Sequence, residues 1–113
     1  MKSEINFEDW EKLDVRVGEI IEVEEIEGAD KLYKLTVDFG DEIGKRRICA
    51  GIKEYISKEN LKGKKTIFLV NLAPRKLRGI ESQGMILAAG SKEDDKFVIL
   101  EPSGDIGKGS RVS

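Results

Sequence analysis

The chain has 113 residues, of which 37% are charged, with no histidine and a single cysteine, Cys49. That length fits one domain, residues 1–113; one cysteine excludes an internal disulfide and a thiolate metal centre, and the lack of imidazole removes the commonest acid–base group and metal ligand. The net charge of −2 hides a basic middle that points to a polyanionic partner, since residues 1–30 carry 3 basic and 11 acidic side chains, residues 31–80 carry 13 and 5, and residues 81–113 carry 4 and 6.

Asn6 to Leu13 has Glu8 and Asp9 in a first turn and apolar residues at Phe7, Trp10 and Leu13, which predicts a short helix. Trp10 is expected to plug one end of a barrel. Val15 to Ile26 is rich in β-branched residues and predicts a long strand. Gly18 and the phase slip at Ile20-Ile21 predict a bulge or bend within it. A turn is expected at Gly28 to Lys31, then a half-buried strand in which Tyr33, Leu35, Val37 and Phe39 alternate with Lys34, Thr36 and Asp38. A third strand over Arg46 to Ala50 puts Ile48 and Ala50 on one face, Arg47 and Cys49 on the other. Ile52, Tyr55 and Ile56 predict a short helix or irregular turn. Ile67-Phe68-Leu69-Val70 reads as a strand buried on both sides. Asn71 to Gly84 is a basic connection punctuated by Pro74 and Gly79. Strands over Met85 to Ala89 and Phe97 to Leu100 follow, then a glycine-rich tail. The expected fold is all-β, an OB-type five-stranded barrel with short helices and a C-terminal extension. SH3-like barrels share this periodicity.

No catalytic constellation is visible. Gly107-Lys108-Gly109-Ser110 lacks the glycine five residues earlier, where Pro102 stands, and no helix follows as a phosphate loop requires. Glu24-Glu25 and Asp94-Asp95 fit a solvated acidic face better than paired acid–base groups. The chain is therefore expected to be non-catalytic, with no metal and no cofactor. Without a membrane-length apolar run or a basic-then-apolar leader, it is expected in the cytoplasm with no membrane partner. The informative segment is Asn71 to Leu87. Arg75, Lys76 and Arg78 crowd a loop stiffened by Pro74, as phosphates spaced along a backbone require. Asn71, Ser82 and Gln83 supply neutral groups for a base edge or a 2′-hydroxyl.

Four stretches carry a likeness: Asp14-Val15-Arg16-Val17-Gly18-Glu19-Ile20, Ala29-Asp30-Lys31-Leu32-Tyr33, Gly51-Ile52 with Tyr55, and above all Asn71 to Leu87. On these the sequence resembles the tRNA-binding domain family found at the C-terminus of methionyl-tRNA synthetases, as their separate β subunits, and as free-standing tRNA-binding proteins. Glu27 and Gly28 stand where many members have a His-Pro-type pair. The resemblance implies an OB-fold, usually a homodimer, that binds tRNA by shape and has no catalytic role. Carried to matching positions, it implies Asn71, Arg75, Lys76, Arg78, Ser82 and Met85 as RNA-binding residues, with Lys31 and Arg46 as weaker additions. The three cations of the loop fall to phosphates, Asn71 and Ser82 to hydrogen bonds, and Met85 to an apolar contact with a sugar or base. The expected partners are tRNA, a second copy of the chain through Phe97 to Leu100, and a methionyl-tRNA synthetase catalytic subunit. The alternative within the same fold is a chaperone-like protein that binds unfolded polypeptides.

Overall fold

Strand β1, Val15–Ile26, organises the molecule, and a computed structural model describes it together with all of residues 1–113. Its first half pairs with β4, Lys65–Leu69, and its second half with β2, Ala29–Asp38, both antiparallel. One strand can serve two neighbours because it bends where the sequence slips phase. Ile20 faces Val37 but Glu22 faces Thr36, so Ile21 is the extra residue of a bulge. Gly18 lies just before the bend, and a Cβ there would stand 2.6 Å from side-chain atoms of Phe39 and Val37. Only glycine lets the coiled strand come this close to its own core.

The remaining strands are β3, Lys45–Ala50; β5, Arg75–Leu77; β6, Ile80–Ser82; β7, Met85–Ile86; β8, Ala88–Ser91; and β9, Lys96–Ile99. The main sheet runs β3-β2-β1-β4-β7, while β5-β6 and β8-β9 form separate two-stranded ribbons. The chain is thus all-β, with a strongly curved antiparallel sheet that does not close. Its concave side holds the core: Ile20, Leu35, Val37, Ile48, Ile52 and Leu61 are fully buried around Phe39 and Phe68, whose rings meet edge to face at 5.4 Å.

Helix α1, Phe7–Glu11, forms as expected but buries no residue, and Trp10 remains 37% exposed. It does not plug the sheet; Leu61 of helix α2, Lys58–Leu61, fills that position instead. The β1–β2 turn is tighter than expected, with Glu27-Gly28 alone between the strands and Gly28 at φ +79°. Strand β4 is not buried on both sides. Thr66 and Phe68 are buried while Lys65, Ile67 and Leu69 are half-buried, which is ordinary alternation. The strand expected over Met85 to Ala89 divides at Leu87, so that Ala88 onward turns away to pair with β9.

The tail is anchored although it is mostly loop. Gly109 N–H donates to Val17 C=O, Val17 N–H to Ser110 C=O and Val112 N–H to Val15 C=O, extending the sheet where β2 has left β1. Arg16 fixes this arrangement from inside. Its buried guanidinium donates to Asp14 Oδ1 at 2.6 Å, Asp14 Oδ2 at 3.2 Å, Glu42 Oε1 at 2.9 Å and Gly109 C=O at 3.1 Å. A buried cation needs such complete pairing. The bond from Arg16 holds the Glu42 carboxyl below its ordinary value near 4.5. Bonds from Lys53 and Lys58 do the same for Glu25, and those from Lys108 and the Gly40 amide for Asp38. Groups with depressed folded-state values stabilise the fold above their unfolded values and lose that contribution as pH falls through the folded ones. Melting temperature is therefore expected to hold from about pH 7 to about pH 5 and to fall at lower pH. In Glu42→Gln, which has no charge to lose there, the acid-side fall should be shallower than in the parent when followed by circular dichroism.

Candidate nucleic-acid interface

The basic middle of the chain separates into two populations once folded. Glutamates of β1 reach across the sheet to Lys34, Lys53, Lys58 and Lys62, while Lys64 and Lys65 pair with Glu101 and Asp105. Each of these exposed pairs is worth only about 0–1 kcal/mol in stability. Their larger effect is to neutralise these lysines. The other cations of the middle, Lys31, Lys45, Arg46, Arg47, Arg75, Lys76 and Arg78, have no carboxylate within 4.0 Å. They sit on β3, on the start of β2 and on the β5–β6 hairpin, which lies against β3.

The connection expected as a loop is this hairpin. Arg75 faces Ser82, Lys76 faces Glu81 and Leu77 faces Ile80, with Arg78-Gly79 as a two-residue turn. Both turn residues have positive φ, +53° and +79°, as the tight primed turn demands. Glycine and asparagine accept that conformation readily; an arginine holds it at a cost of about 1 kcal/mol. The pleat places Arg75 and Leu77 on one face and Lys76 on the other, opposite the partly compensating Glu81. Arg78 stands at the tip. All three cations are exposed.

The hairpin is fastened to β3 largely by side chains. Gln83 N–H donates to Arg47 C=O at 2.8 Å, and Arg47 N–H returns a bond to Gln83 Oε1 at 3.0 Å. Cys49 N–H donates to Ser82 Oγ at 3.0 Å, and Ser82 Oγ–H to Gly84 C=O at 3.2 Å. Arg46 Nη1 donates to Val70 C=O at 2.6 Å and to Gln83 C=O at 3.3 Å. Asn71, just after β4, instead fastens the chain to the segment that precedes β1. Its Oδ1 accepts from Asp14 N–H at 2.8 Å and its Nδ2 donates to Lys12 C=O at 2.6 Å. Of the residues singled out from sequence, Arg75, Lys76, Arg78, Lys31 and Met85 thus present exposed side chains. Asn71, Ser82 and Arg46 spend polar atoms on the protein itself.

Between hairpin and sheet opens a groove of about 300 Å³, lined by Leu32, Cys49, Gly51, Leu72, Ala73, Arg75, Leu77, Ser82, Gly84 and Met85. Burial raises the Cys49 thiol above its ordinary value, so it stays protonated and behaves as a small apolar surface. Arg47, Lys45, Leu32 and Leu72 did not stand out in the sequence. The alternation that turns Arg47 and Cys49 away from the core was legible; that this face meets the hairpin was not.

Comparison with known proteins identifies the relatives of the chain. A family model described as a putative tRNA binding domain matches residues 15–111. The chain is 50% identical over 109 residues to a methionine–tRNA ligase of Caldanaerobacter subterraneus subsp. tengcongensis, spanning 96% of the chain but 16% of the ligase. Among solved structures, a MetRS-related protein from Pyrococcus horikoshii superposes with a TM-score of 0.90 at 38% identity, covering 99% of this chain and all of that one. A CsaA chaperone protein from Picrophilus torridus superposes with a TM-score of 0.87 at 35% identity, covering 97% of this chain and all of that one.

The two groups of residues respond differently to substitution. Ser82→Ala leaves the Cys49 amide buried without an acceptor and is expected to cost about 1–3 kcal/mol in urea unfolding. Asn71→Ala loses two bonds at an exposed position, about 1 kcal/mol. Arg75→Ala and Lys76→Ala should stay within about 0.5 kcal/mol of the parent.

Proposed function

Since the chain belongs to the putative tRNA-binding domain family, we propose that it is a non-catalytic module that binds folded tRNA by shape through the β5–β6 hairpin and the adjoining face of β3. The observation that carries this reading is the cluster of exposed cations without a carboxylate partner, Arg75, Lys76 and Arg78 on the hairpin and Arg47 on the strand it lies against, in a molecule whose total charge is −2. Phosphates take the place of the missing carboxylates, and the counterions they release on binding drive association. Arg75, Lys76, Arg78 and Lys31 contact phosphates and Met85 makes an apolar contact. Asn71, Ser82 and Arg46 serve the same surface by holding it in place. Such a surface reads the spacing of a backbone rather than base edges, which suits recognition by shape.

The strand order β3-β2-β1-β4-β7, the helix between β3 and β4, and the side-chain bonds from Ser82 and Gln83 across the open seam to β3 support reading the fold as an OB-type barrel. We assign the fold to that type. The chain spans about one-sixth of the ligase it matches, so the activity of the whole ligase is not attributed to it. Its role is to act in the cytoplasm as the β subunit or trans-acting partner of methionyl-tRNA synthetase, raising the local concentration of tRNA beside a catalytic subunit.

A homodimer fits the apolar surface left uncovered. Val98 on β9 is 51% exposed, Tyr55 packs on Phe97 at 5.5 Å and is itself half exposed, and Phe7 and Trp10 of α1 with Leu13 just beyond it are exposed. A two-fold partner is the commonest cover for such surface. Sedimentation equilibrium at micromolar concentration is expected to give twice the 12.6 kDa chain mass; a lone monomer would remove the dimer from this reading.

A second reading is favoured by one observation, the apolar lining of the groove, which also suits side chains of an unfolded polypeptide. Salt separates the two, because apolar capture persists at high salt whereas phosphate contacts weaken linearly on a log–log plot. For tRNA, substitution of Arg75, Lys76 and Arg78 together by alanine is expected to weaken binding at least about tenfold, roughly 1.4 kcal/mol, and to flatten the salt dependence. A folded triple variant with undiminished affinity would falsify the assignment.

A further inference from the structure

The groove beside the hairpin has a chemistry that phosphate contacts alone leave unexplained. Much of its lining is aliphatic, from Leu32, Leu72, Leu77 and Met85, and Leu72 and Met85 remain 37% and 40% exposed. Arg75 and Leu77 line it from β5 and Cys49 from β3. Two residues from Cys49 on the same side of β3, about 7 Å along the strand, stands Arg47. Its guanidinium makes only a 3.5 Å contact to the Glu81 carbonyl. Lys34, which faces Cys49 across the β2–β3 pairing, is by contrast occupied by Glu24. The groove is therefore largely apolar, with a free cation at Arg75 in its lining and another, Arg47, on the strand beside it.

The polar atoms at its base are already satisfied: Ser82 Oγ is held between the Cys49 amide and the Gly84 carbonyl. No buried side-chain polar atom in the chain lacks a partner. Six of its ten lining residues are hydrophobic, so it meets a ligand largely through apolar faces. At about 300 Å³ it lies at the small end of ligand pockets, room for one flat ring system and not for a helix. Arginine guanidinium planes stack on bases, and aliphatic surface accepts their faces irrespective of identity. The geometry points to a single-nucleotide subsite: an unstacked base of the bound tRNA enters the groove against Leu72, Met85 and the Arg75 plane, and Arg47 takes an adjoining phosphate. This site rests on the proposed tRNA-binding reading and adds to it a nucleotide position, a further phosphate contact and indifference to which base is inserted.

The test titrates the full chain with an unmodified tRNA transcript at several potassium chloride concentrations, alongside a uridine–2-aminopurine–uridine trinucleotide read by fluorescence. Arg47→Ala is expected to weaken tRNA binding at least about threefold and to lower the log–log salt slope by about 0.7–0.9, the loss of one phosphate contact. The double variant Leu72→Ala with Met85→Ala, at surface positions that tolerate truncation, should weaken binding at least about fivefold with the slope unchanged, since no counterion is released by apolar contact. The 2-aminopurine emission should change with the parent protein and not with the double variant. A double variant that melts like the parent and binds tRNA equally well, while the Arg75, Lys76 and Arg78 triple variant does not bind, would overturn the nucleotide site and leave the cationic reading intact. Unimpaired binding by the triple variant would bring down both. Displacement of tRNA by a reduced, unfolded protein from the parent but not from the double variant would give the groove to polypeptide and end the proposal.

Discussion

The seam between β3 and the segment that follows β6 is the constraint on which the candidate interface depends. The main sheet ends at β3 on one side and at β7 on the other, and these edges approach without forming a ladder. Open edges leave backbone groups unpaired, a costly state near a core. Here Ser82 and Gln83 present side-chain oxygens to the Cys49 and Arg47 amides, and Arg46 ties the Val70 and Gln83 carbonyls together. Gly84 completes the seam with φ +142°, at a point where a Cβ would lie 2.9 Å from the Leu69 carbonyl oxygen. The hairpin that bears Arg75, Lys76 and Arg78 emerges directly from these fastenings, so its placement over the groove is inherited from them.

Charge is organised by the same long strand that organises the fold. Because β1 carries acidic residues on its solvent side through the bulge, its glutamates meet the lysines of β2 and of the segment 51–64. The cations of β3 and of the β5–β6 hairpin, beyond its reach, have no carboxylate within 4.0 Å. An anionic protein can in this way offer a cationic face, since at physiological salt charges separated by more than about 8 Å scarcely sense each other across solvent.

Much of this was legible residue by residue. The limits of β1, its bulge, the alternation in β2 and the opposed faces of β3 follow from patterns that local sterics and burial impose. What escaped depends on contacts distant in sequence. Trp10 has an amphipathic neighbourhood but no partner surface within the chain. The run Ile67 to Val70 looked doubly buried because apolarity does not disclose whether a second layer covers it. The hairpin at Arg75 to Ser82 was concealed by an arginine in a turn position where asparagine or glycine is the usual signal. At the site, the cations were evident from composition. That Asn71 bonds to residues 57 and 59 positions away, and Ser82 to one 33 away, could not be read from their own neighbourhood.

Arg78 has one further implication. A search for substitutions that relieve backbone strain would put asparagine at the hairpin tip, giving the Asn-Gly pair that this turn prefers. The replacement would pass every assay of thermal resistance while deleting the outermost positive charge of the ribbon. For this domain, optimisation guided by robustness alone selects against the proposed polyanionic ligand, and Arg78 belongs among the positions withheld from it.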